Sequence, residues 1–127
     1  MIGKMQVPKD FCDKILECDK TIRYAGIADK LGRIVVTKYR VAPLLSIKES
    51  ELSVKQSTIR MKTRKTLETK IGKTIYAFAL YEKMKRATIP LRNGSILMLS
   101  FNKQADHHSI IVKKILPLIK KYGLREN

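Results

Sequence analysis

The side chains able to do acid–base, metal or nucleophilic chemistry are few in this sequence and poorly spaced for it. His107 and His108 are adjacent, so on a helix they point about 100° apart and cannot face one metal as an i, i+4 pair would. A capping or surface role is expected for them, with His107 beside Asp106 as the one acid–base candidate. Cys12 and Cys18 sit six residues apart in a segment of helical spacing, about 120° apart in projection, which excludes a local disulfide. Reduced, core-facing thiols in a cytoplasmic protein are the expectation. The carboxylates beyond the first helix, Asp29, Glu49, Glu51, Glu68, Glu82 and Asp106 among them, set no general acid opposite a base. No phosphate-binding loop, dinucleotide fingerprint, nucleophile elbow or zinc-protease motif is present. The expectation is a protein that is not an enzyme and carries no cofactor and no metal.

Charge is the sharper signal. Twenty-seven Lys and Arg against eleven Asp and Glu give a net charge of +16, a strong field for any polyanion. The basic residues concentrate: Lys55, Arg60, Lys62, Arg64, Lys65, Lys70 and Lys73 are opposed over that stretch by Glu68 alone, and Lys83, Lys85, Arg86 and Arg92 follow. Such a stripe could neutralise several phosphates of a nucleic acid, which carries a negative charge per about 1.7 Å of duplex axis. No helix-turn-helix, zinc-finger or basic-zipper pattern surrounds it, so the contact expected with DNA or RNA is to the backbone and salt-sensitive. Stacking on single strands would need exposed rings, and Tyr76, Phe78 and Phe101 are read as core.

These residues need elements to position them. Phe11, Cys12, Ile15 and Leu16 recur at helical spacing between Lys9 and Asp19, behind Pro8. From Thr21 the pattern alternates, then Asp29-Lys30-Leu31-Gly32 supplies turn chemistry and Arg33 to Thr37 is β-branched, so a hairpin is expected with Gly32 at positive φ. Pro43 closes its second strand. A helix is predicted from about Lys48 to Met61 and a shorter one near Thr66 to Ile71, ended by Gly72. From Lys73 to Tyr81 both alternating faces are apolar, the pattern of a central strand. Asn93-Gly94 between apolar runs predicts a second hairpin. Asp106 caps a closing helix to Tyr122, interrupted by Pro117 and followed by Gly123. The sequence therefore predicts one α+β domain over residues 1–127, a single antiparallel five-stranded sheet flanked by helices in the order α-β-β-α-β-β-β-α. Its 44% hydrophobic content with five Tyr and three Phe implies a mostly aliphatic core. No run approaches the length of a membrane-spanning helix.

This order, together with the hairpin YAGIADKLGRIVV and the segment IGKTIYAFALYEKMKRATIPL, resembles the roadblock and longin group among profilin-like folds. It is also similar to an archaeal domain family of that layout. The resemblance covers nearly the whole chain and implies a non-enzymatic scaffold or regulatory module, often acting beside small GTPases. It also implies dimerisation through the central helix and the neighbouring sheet edge. In this chain that helix carries Lys55, Arg60, Lys62, Arg64 and Lys65. Three readings follow: a protein-interaction module, homodimeric or bound to another protein; a nucleic-acid-associated protein; and a small-ligand sensor of PAS-like economy, which requires a cavity on the sheet.

Overall fold

Two turns set the sheet. The computed structural model describes residues 7–126. In the first turn the Asp29 carboxylate accepts the backbone N–H groups of Leu31 (2.9 Å) and Arg33 (3.0 Å), and Gly32 adopts φ 79°. Strand β1 (Ile22–Ala28) thereby folds back into β2 (Ile34–Tyr39). In the second, Asn93 at φ 60° and Gly94 at φ 71° reverse the chain between β4 (Met84–Pro90) and β5 (Ile96–Asn102). Both hairpins form as the turn residues predict.

The five strands run in the order β2-β1-β5-β4-β3, with β3 at Ala77–Leu80 and all neighbours antiparallel. One face is covered by α1 (Phe11–Glu17) and by the closing helix, which divides into α4 (His107–Ile110), a π turn (Ile111–Ile115) and α5 (Leu116–Lys121). The π turn absorbs the interruption expected at Pro117, so that proline falls in the first turn of α5, where its missing N–H is tolerated. Phe11, Ile15, Ile27, Leu97, Leu99, Phe101, Ile111 and Ile115 are completely or almost completely buried on this face. The core is mainly aliphatic, as composition implies.

The opposite face is far more thinly covered. Helix α2 (Ile47–Lys65) starts at the Ser46 N-cap, whose hydroxyl accepts the Glu49 N–H while the Glu49 side chain accepts the Ser46 N–H. It buries Val54, Ser57, Thr58 and Met61 over a small cluster of Ala28, Ile96 and Met98. The short α3 (Glu68–Ile71) follows and Gly72, at φ 89°, ends it. Among the described residues no helix is long and apolar enough to cross a membrane.

Three expectations are corrected. The segment after Lys73 is not a central strand: among the described residues only its Ala77–Leu80 pairs, with β4 alone, and β5 occupies the centre. Its apolar pattern on both faces reflects exposure at an edge. Phe78 is 40% exposed and Tyr76 is half-buried, so of the three rings read as core only Phe101 is fully so. Strand β2 ends at Tyr39, four residues before Pro43: the Arg40 N–H makes a last backbone bond to the Arg23 carbonyl (2.8 Å), and its guanidinium donates to the carbonyls of Ile22, Leu16 and Asp19.

Candidate functional site

Among the described residues the sheet has two edges without a partner strand, β2 and β3, and their chemistry differs. Along β2 Lys38 stands within the strand, 3.8 Å from Asp13, and Arg33 just before it, paired with Asp29 at 2.9 Å, and charged side chains of this kind discourage pairing with a second sheet. Along β3 there is none: from Thr74 to Tyr81 no side chain is charged at neutral pH. The turn closes with Tyr81 N–H donating to the Met84 carbonyl at 2.8 Å. Antiparallel alternation from that pair makes Ala79↔Arg86 and Ala77↔Thr88 the hydrogen-bonded pairs. The backbone N–H and C=O groups of Phe78 and Leu80 therefore point outward, away from β4. Leu80 is 61% exposed.

Helix α2 adds a second unpartnered strip. Its buried positions 54, 57, 58 and 61 define the inner side, and Leu52, Gln56, Ile59 and Thr63 recur at i, i+4, i+7, i+11 on the outer one. Leu52 and Ile59 are mostly exposed. Lys48, Lys55 and Lys62 flank this strip on one side, Arg60 and Arg64 on the other.

The structure distributes the basic residues over several surfaces. Lys55, Arg60, Lys62 and Arg64 stand on the exposed sides of α2, and Lys70 and Lys73 lie on α3 and just after it. Lys62 and Lys65 meet Lys30 around a cleft of about 310 Å³ beside the Asn93-Gly94 turn. Lys65 also pairs with Glu126 at 2.8 Å. Lys83 occupies the β3–β4 turn. Lys85 and Arg86 are neighbours in sequence and face opposite sides of the sheet. Lys85 donates to the Ala105 carbonyl (2.6 Å) and Arg86 donates to Ser53 Oγ under α2 (2.6 Å). Arg92 donates to the Gly123 carbonyl at 3.0 Å.

The histidines hold β3 to the closing helix. The His107 ring stacks on Phe78 (centroids 3.8 Å apart, planes within 4°), and the Tyr76 hydroxyl and His108 Nδ1 are hydrogen-bonded at 2.7 Å. Among the described residues His107 Nδ1 is buried without a hydrogen-bond partner, so a proton added there has no acceptor among them. Burial, then the nearby Lys85 and His108 charges, hold the His107 pKa below its ordinary value of 6.5, against the smaller opposing effect of Asp106. The unfolded chain therefore takes up a proton before the folded chain does as pH falls. Folding stability is expected to be full above pH 6.5 and to decline as pH drops through 6.5 towards the lower folded-state pKa. Urea unfolding at stepped pH checks this, and His107→Phe, which keeps the stack, should flatten that part of the profile.

Cys12 is buried and Cys18 half-buried, both as free thiols. Burial, with Asp13 nearby, pushes the Cys12 thiol up to about 11, which keeps it protonated and inert. Among the described residues no three His, Cys, Asp or Glu side chains gather as a metal-binding group.

An antiparallel sheet of this order, with α1 and the closing helix on one face and α2 on the other, is the roadblock fold. The roadblock/LC7 domain from Streptomyces avermitilis superposes with a TM-score of 0.70 over 92% of this chain and 98% of its own, at 7% identity. The gliding protein MglB from Thermus thermophilus gives 0.68 over 86% and 81%, at 15% identity. A structure described as MglB with a tetrameric arrangement gives 0.67 over 89% and 79%, at 16% identity. No protein-family model and no curated protein matches the sequence. The likeness is one of fold, and it gives no support to the archaeal side of the resemblance.

Proposed function

We propose that this chain is a non-enzymatic, cytoplasmic protein-interaction module of the roadblock kind. It pairs with a second copy of itself, or with a protein of like edge, through β3 and the outer strip of α2. The uncharged, outward-facing edge at Phe78 and Leu80 carries the reading. Such an edge is a template for strand addition, and the charged β2 edge of the same sheet is not. The tetrameric arrangement described for one MglB structure supports assembly as a use of this fold.

Pairing two copies brings two charges of +16 together. Screening shortens the reach of that repulsion from about 10 Å at 0.1 M salt to about 3 Å at 1 M. Self-association is therefore expected to strengthen several-fold as salt rises, read by sedimentation velocity across a concentration series. A monomer at every concentration and salt would count against the proposal.

A second reading rests on the three lysines around the cleft beside Asn93. A phosphate backbone held there would respond to salt in the opposite sense, weakening as salt rises. Titrating generic duplex DNA and single-stranded RNA over the same salt series separates the two, and loss on Lys62→Glu would support this reading.

A further inference from the structure

Beneath the N-terminal half of α2 the sheet carries a groove of about 590 Å³, within the usual range of small-molecule sites. Its floor is one register row that crosses four strands. Tyr39 of β2 lies opposite Tyr24 of β1, Tyr24 opposite Ser100 of β5, and Ser100 opposite Arg86 of β4. The groove follows this row, from an apolar wall at Val41–Leu45 to the β3–β4 turn at Tyr81–Lys83.

Gly26 leaves room for the aromatic floor of the groove. A Cβ there would overlap the Tyr24 hydroxyl oxygen and lie 2.6 Å from the ring carbon that bears it. The Tyr24 side chain therefore lies back along the strand across Gly26, with Tyr39 against it at 4.7 Å between centroids. Burial raises the Tyr24 pKa, so the phenol stays neutral and presents a face on which a hydrocarbon can rest. Met84 and Met98 add side chains that adapt to an apolar guest.

Charge selects the other end. Two part-buried guanidiniums line the groove, and both are held by neutral partners: Arg86 by Ser53 Oγ, and Arg23 by Asn102 Oδ1 at 3.1 Å. Among the described residues neither has a carboxylate within salt-bridge distance. Lys83 adds a third positive charge to the lining, against Glu82 as its one carboxylate. A planar guanidinium partly withdrawn from water is a strong, bidentate partner for a carboxylate.

We propose that this groove binds a small amphipathic carboxylate, of the size of a medium-chain fatty acid. The head sits on Arg86, with Arg23 and Lys83 contributing field, and the tail runs over Tyr24 and Tyr39 towards Val41–Leu45. This inference is independent of pairing at β3, since oligomeric state and ligand affinity are read separately.

The test is calorimetric titration of the full chain with decanoate and with decanol at physiological ionic strength. Decanoate is expected to bind roughly ten- to a hundredfold tighter than decanol, the ratio a charge-assisted hydrogen bond supplies. Arg86→Gln should remove most of that ratio and leave decanol affinity unchanged. Lys113→Gln makes the same change in net charge on an exposed residue of the closing helix and should leave the ratio intact. Gly26→Ala should displace the Tyr24 ring and weaken both ligands, with thermal melts confirming that each variant is folded. Equal binding of decanoate and decanol by the wild-type chain, equal losses from Arg86→Gln and Lys113→Gln, or no binding of decanoate would overturn the proposal. The wild-type comparison and Gly26→Ala decide the matter even where Arg86→Gln fails to fold.

Discussion

Leu80→Lys is expected to weaken self-association by more than about a hundredfold while leaving the folded monomer intact. Leu80 is 61% exposed at the outer edge of β3, and surface changes of this kind usually alter stability by less than about 0.5 kcal/mol. In a paired edge the same residue is buried twice, once from each copy. Full burial of a leucine side chain is worth roughly 1.5–3 kcal/mol, and every 1.4 kcal/mol is about a tenfold change in affinity. The new ammonium also supplies the edge charge that β2 carries at Lys38 and β3 lacks. Sedimentation equilibrium of both proteins at equal salt measures the ratio of dissociation constants, and matched urea curves show that the fold is unchanged. A dissociation constant within threefold of wild type would place the contact elsewhere.

Phe101→Ala should cost about 3–5 kcal/mol, a large share of the roughly 5–15 kcal/mol by which a domain is stable. Phe101 is completely buried on the central strand, where its backbone is paired with Ile22 on one side and Lys85 on the other. Its ring belongs to the cluster shared with α1 and the closing helix, so a cavity there touches both covering helices and the sheet. Phe78→Ala is the informative contrast, because Phe78 is 40% exposed and its main partner is the His107 ring. Urea unfolding should show the Phe101→Ala midpoint shifted far below that of Phe78→Ala, and equal shifts would contradict the assignment of core and edge.

The features that sequence made legible are those encoded locally. Asp29 and Gly32 specify their turn through two backbone hydrogen bonds and one positive φ, and Asn93-Gly94 does so through two successive positive φ values. Asp106 caps its helix by accepting the Ser109 N–H, and Gly123 past the end adopts φ 69°. Ser46-x-x-Glu49 is a capping box that marks the start of α2 at Ile47, one residue ahead of the Lys48 expected from hydrophobic spacing. The place of β3 was not legible, because apolar residues on both faces have one appearance in a central strand and in an edge that another chain could cover. Lys85 and Arg86 look like one basic cluster in sequence, yet the pleat sends them to opposite faces. The groove depends on the β1–β5 pairing, which joins Tyr24 to Ser100 far along the chain, and nothing local encodes that register.

Pairing at the β3 edge is read directly by backbone amide hydrogen exchange along β3, in dilute and in concentrated protein at raised salt. Ala77 and Ala79 bond inward to β4 and serve as internal references, while the Phe78 and Leu80 amides point outward. Phe78 and Leu80 are expected to exchange freely in dilute protein and to gain protection on concentration, with Ala77 and Ala79 little changed. Free exchange at Phe78 and Leu80 under conditions where the protein has assembled, or no assembly at any concentration, would contradict this pairing.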